Sequence, residues 1–91
     1  MTDNQRVERI RAALEAALAP SALDISDDSA AHAGHAGALT GKGHFSLRIV
    51  ADRFTGLPPL KRHRLIYAAL EALLETDIHA LSIDARAPQE G

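Results

Sequence analysis

With 91 residues the chain has room for one domain and one modest core, burying about 60–65% of the surface its unfolded form exposes. Hydrophobic residues make up 46% and charged residues 24%, so disorder is expected only at the ends and in one loop. The net charge of −2 excludes a global field for nucleic acid or anionic membrane, and the absence of cysteine excludes disulfides, thiol nucleophiles and self-made thiolate metal sites.

Met1-Thr2-Asp3-Asn4 carries an acid where a secretory signal needs positive charge. No apolar run approaches the about 20 residues of a membrane span, so a cytoplasmic or equivalent internal setting is expected. Residues 3–18 predict an amphipathic helix. Val7, Ile10, Leu14 and Leu18 recur at three- and four-residue steps, with Arg6, Glu8, Arg9, Arg11 and Glu15 between them. Thr2 or Asp3 can cap it, and Pro20 ends it. Residues 22–28 alternate, Leu23 and Ile25 against Asp24, Ser26 and Asp28, as a half-buried strand does. Residues 29–43 have no period and predict a long loop made permissive by Gly34, Gly37, Gly41 and Gly43.

A strand over 44–51 sets Phe45, Leu47 and Ile49 inward and Ser46 and Arg48 outward. Gly56 and Pro58-Pro59 mark a turn region over 52–59. A second helix over 60–75 buries Ile66, Leu70, Leu73 and Leu74, and a last strand over 78–85 opposes Leu81 and Ile83 to Ser82 and Asp84. Residues 86–91 read as a flexible tail. The order α-β-β-α-β, with room for a short helical turn before the second helix, predicts a single α+β domain over 1–91. Its three-stranded sheet has helices packed on one face.

Five segments, in order, resemble the BolA-like proteins. They are Asp27-Asp28-Ser29 followed by His32; Gly43-His44-Phe45; Asp52-Arg53-Phe54-Thr55-Gly56; Arg62-His63-Arg64-Leu65-Ile66-Tyr67; and Ile78-His79-Ala80-Leu81-Ser82. The resemblance covers nearly the whole chain and implies a KH-like fold. It also implies a monothiol glutaredoxin partner, in a heterodimer that bridges a 2Fe–2S cluster. Within such a complex the BolA-like chain provides nitrogen ligands, while the glutaredoxin cysteine and a bound glutathione provide sulfur. Histidine ligation of one iron is the chemistry of Rieske centres. Five histidines and no cysteine fit the histidine-type branch.

By the same resemblance His79 falls on the family's histidine at the start of the last strand, and His32 on the loop ligand. His35 is an alternative loop ligand. Alanine at positions 30, 31, 33, 36 and 38 makes this loop less polar than in many relatives. Imidazole must be deprotonated to ligate, so such an assembly should loosen as pH falls toward about 6.5, the ordinary histidine value.

Read from the residues alone, each feature has a plainer explanation. His79 shares the period-two face of Leu81 and Ile83 and could be a half-buried structural histidine. His32 and His35 could be solvated, or could bind a stray divalent ion with Asp27, Asp28 or His79. His63 and Tyr67 lie along the buried stripe of the second helix and are expected to be structural. Lys61, Arg62 and Arg64 form the basic cluster, a surface for an acidic partner or for DNA phosphates, with Arg48 or Arg53 in support. This is the rival reading, a nucleic-acid-binding regulator. Its weakness is the acidic net charge and a mere three aromatic residues. Gly34-His35-Ala36-Gly37 matches a KH clamp but joins strands rather than helices. The glycines around Lys42 lack the spacing and the following helix of a phosphate loop. No catalytic pair or cofactor fingerprint is present, so the expectation is an adaptor and not an enzyme. A glutaredoxin heterodimer and a homodimer are both compatible with the sequence.

Overall fold

The computed structural model describes residues 4–28 and 43–90. Along the chain lie α1 (Asn4–Leu18), β1 (Ala22–Asp27), β2 (Gly43–Val50), a 3-10 turn (Asp52–Phe54), α2 (Pro59–Ala69), α3 (Glu71–Thr76) and β3 (Ile78–Arg86). The expected order holds, with the short turn present. The second helix departs from expectation by breaking at Leu70. There the backbone sits at φ −103°, ψ 11°, and the Leu70 N–H donates to both Ile66 O and Tyr67 O. No glycine or proline marks the break. Leu70 itself is fully buried, and the bend lets both helical pieces pack against β3.

β2 is the central strand. It runs antiparallel to β1, with Leu23 opposite Ile49 and Ile25 opposite Leu47. It runs parallel to β3, with Phe45 beside Leu81 and Leu47 beside Ile83. Parallel pairing demands a long crossover, which the 3-10 turn, α2 and α3 supply. On the helix side Phe45, Leu47 and Ile49 are buried with Ile10, Leu14 and Leu18 of α1, Phe54, and Ile66 and Leu70. Burying each such side chain stabilises the fold by about 1.5–3 kcal/mol. The other face of the sheet is polar. Two cross-strand rows run over it, Ser26–Ser46–Ser82 and Asp24–Arg48–Asp84. Between the rows lies a shallow groove of about 410 Å³.

The expected flexible tail is instead docked. Arg86 closes β3 and its carbonyl accepts the Ala51 N–H at 3.0 Å, while Ala87 is wholly buried in the core. Apolar burial at a position with so small a side chain gives little periodic signal, which is why the sequence suggested fraying. No described helix is long and apolar enough to cross a membrane.

Pro20 does stop α1, but the chain leaves the helix through Ala19 in the left-handed region, at φ 47°. A side chain there costs roughly 1–2 kcal/mol against the following carbonyl. Ala19→Gly should therefore stabilise the domain by about 1 kcal/mol, after the extra freedom of unfolded glycine is offset. Thermal melting should show a midpoint about 4–8 °C higher, and a lower midpoint would contradict the strain.

Candidate functional site

The β2–β3 ladder slips at its first step. Gly43 pairs with Ile78, but His44 pairs with Ala80, leaving His79 as one extra residue in β3. Such a bulge re-aims side chains, because strand side chains alternate faces with a period of two. Strict alternation would put His79 with Leu81 and Ile83 toward the helices. The bulge instead lets Ile78 enter the core and leaves His79 exposed. The expected shared face is thereby corrected. His79 lies beside His44, which pairs with Ala80 on the polar side of the sheet, and the ring centres are 5.2 Å apart with planes tilted by 49°. Nε2 of His44 is buried, so this pair is approached from the His79 side.

Asp77 anchors the residue pair that precedes the bulge. Its carbonyl accepts the Gly43 N–H at 2.9 Å, and its own N–H donates to Leu73 O at 2.7 Å. The nearly buried carboxylate accepts from Arg9 Nε at 2.9 Å and lies 3.7 Å from Arg6 Nε. One acid therefore ties α1, the end of α3 and the start of β2 to the point where β3 begins.

Of the expected loop ligands, His32 and His35 lie outside the described residues. The segment that carries them leaves after Asp28 and rejoins at Gly43. The Asp28 N–H donates to His44 O at 2.7 Å, and Gly43 pairs with Ile78, so both ends of that segment flank the His44–His79 pair. Asp28, considered as an added ligand, is held by hydroxyls. Ser26 Oγ donates to one carboxylate oxygen at 3.0 Å, and Ser46 Oγ donates to the other. Among the described residues no group of three or more histidines, cysteines or carboxylates could hold a metal alone. The residue missed in sequence is His44. Its outward position follows from the strand period, but its neighbour could not be found without the register slip.

Three comparisons identify the family. The family model described as BolA-like protein matches residues 14–90. The chain belongs to the BolA-like family. It is 48% identical over 87 residues to SufE-like protein 1, chloroplastic/mitochondrial, of Arabidopsis thaliana, covering 90% of this chain and 24% of that protein. It is 43% identical over 76 residues to the DNA-binding transcriptional regulator BolA of Escherichia coli strain K12, covering 84% of this chain and 70% of that one. The solved BolA domain of SufE1 from Arabidopsis thaliana superposes with a TM-score of 0.82 at 46% identity, over 94% of this chain and 95% of that one. Against animal BolA-like protein 1 sequences the chain spans only 57–58% of their length.

Within this BolA-like domain the basic cluster at the start of α2 divides. Lys61 and Arg64 are exposed, but Arg62 is 9% exposed and turned inward, so its assignment to a surface is corrected. Its guanidinium donates to Leu57 O at 2.7 Å and Ala85 O at 3.1 Å, and grips both Glu90 oxygens at 2.6 and 2.7 Å. Those carbonyls and the fork of Glu90 replace the water that the inward-turned guanidinium gives up. His63 is half-buried as expected, whereas Tyr67 is 41% exposed and shares the open side of α2 with Leu60.

Hydrogen bonding from Arg62, then from the Ala87 N–H, lowers the Glu90 carboxyl from 4.5 to about 2. A carboxyl depressed on folding adds stability that is complete above its ordinary value and disappears as pH falls toward the folded one. Glu90→Gln should therefore melt at a lower temperature at pH 7, and should lose less stability than the parent between pH 4.5 and 2. Parallel melting curves across that interval would refute the latch.

Proposed function

We propose that this chain is a non-enzymatic adaptor that pairs with a monothiol glutaredoxin. In that complex it supplies nitrogen ligands to a 2Fe–2S cluster shared with the partner's cysteine and glutathione. The observation that carries the reading is the bulge at His79, which delivers an exposed imidazole beside both ends of the segment bearing His32 and His35. The donor chemistry fits. A closed site needs more ligands than the described residues offer, whereas a bridging cluster asks this side for one or two nitrogens. His79 is one ligand and His32 the other, with His35 as its alternative. A bound cluster would contribute one-electron redox chemistry and a transferable iron–sulfur unit. This chain's part is to hold neutral imidazoles at an accessible edge while Asp77 keeps the bulge in place. A reducing internal compartment, the cytoplasm among them, is where a glutaredoxin and glutathione would be met.

In a co-expressed complex, His79→Ala should abolish the histidine-type cluster absorption and paramagnetic signature while leaving the apo heterodimer intact by size-exclusion chromatography. A spectrum identical to the parent's would overturn the assignment.

A second reading, regulation through DNA, is favoured by Lys61, Arg64 and Tyr67, which are all exposed on α2, and by the name of the Escherichia coli relative. It has lost Arg62. If it holds, replacing Lys61 and Arg64 together by Ala should reduce the slope of log affinity against log salt by about 1.8, at about 0.9 per phosphate contact. Absence of measurable DNA binding by the parent at moderate salt would remove this reading.

A further inference from the structure

We propose that His44 and His79 form a two-imidazole site through which the free chain binds one borderline divalent cation, Zn²⁺ or Cu²⁺, without a partner protein. Two imidazoles that share an ion at metal–nitrogen distances of about 2.0–2.1 Å and a near-tetrahedral angle hold their ring centres about 5 Å apart. The observed separation is 5.2 Å, so the two rings already stand at the spacing a shared ion needs. The backbone maintains that spacing. His44 belongs to the central strand, and His79 is the extra residue of a bulge whose predecessor is fixed by Asp77.

The surroundings favour a cation. The Asp28 carboxylate is gripped by Ser26 and by Ser46, which lies two residues along β2 from His44, and the Asp28 N–H donates to His44 O. Arg48 on that face lies 3.7 Å from Asp84, and Arg6 and Arg9 are directed to Asp77, so positive charge nearby is balanced. Imidazole nitrogen selects zinc, copper or nickel over magnesium and calcium, which prefer oxygen. With two protein ligands the remaining positions fall to water, which reaches the ion from the exposed His79 side because Nε2 of His44 is buried. Because His79 serves both roles, an ion on this pair and a cluster ligated by His79 exclude each other. That last consequence alone rests on the adaptor reading.

The test titrates the full chain with Zn²⁺ alone, following histidine side chains by long-range proton–nitrogen NMR. The His44 and His79 rings should shift together and saturate at one equivalent. Losing a ligand should cost at least as much as losing an outer partner of one, about 10–100-fold in affinity. His79→Ala and His44→Phe should each show that loss, and His63→Ala should not. Phe preserves ring packing while removing both nitrogens, so undiminished Zn²⁺ binding by His44→Phe overturns the proposal. So do shifts confined to His32 and His35. Should His44→Phe fail to fold, the exposed His79→Ala variant decides alone, with unchanged affinity counting against the site. None of these measurements involves glutaredoxin, so their failure leaves the adaptor reading to its own spectral test.

Discussion

One extra residue in β3 organises the end of the sheet where His44 and His79 meet. Without the slip at His79, strand alternation would bury the imidazole among Leu81, Ile83 and the helices and would turn Ile78 to solvent. With it, Ile78 joins the core and His79 reaches the polar face beside His44. The cost of interrupting a parallel ladder at one step is offset by Asp77. Its backbone holds Gly43, and its carboxylate draws the arginines of α1 onto the same point. Register, core packing and site geometry are thus one constraint expressed three ways.

A second constraint closes the opposite part of the fold. Arg62 reads as a surface cation in sequence, yet it is enclosed by two backbone carbonyls and the Glu90 fork. A buried charge is tolerable only when such partners replace water, and here they do. The same contacts draw the C-terminal segment down so that Ala87 completes the core. A residue that seemed available to a partner is engaged in holding its own chain end.

In the proposed adaptor role this site is one half of a shared centre. Imidazoles without a cysteine in the chain are the donor set on which that proposal rests. An exposed His79 at a strand end suits the proposed role better than a buried one would, because a partner would bring its own ligands to the same metal. The pairing with His44 adds a consequence specific to this geometry. The described imidazole ring beside His79 is that of His44, on the neighbouring strand of the same sheet.

Period and punctuation carried most of the architecture. Val7, Ile10, Leu14 and Leu18 predicted α1, Phe45, Leu47 and Ile49 predicted the inner face of β2, and the succession of periods and turn residues predicted the α+β order. These features are local, since each depends on side chains a few positions apart. The break at Leu70, the docking of residues 86–90, the inward turn of Arg62 and the meeting of His44 with His79 were not legible. Each depends on residues that approach only when β2 and β3 pair, or when the chain end folds back on α2. Sequence by itself determined which faces of α1 and β2 are apolar. Tertiary structure decided which way His79 points, because a one-residue slip between strands 35 positions apart (Gly43 and Ile78) leaves no trace in local periodicity.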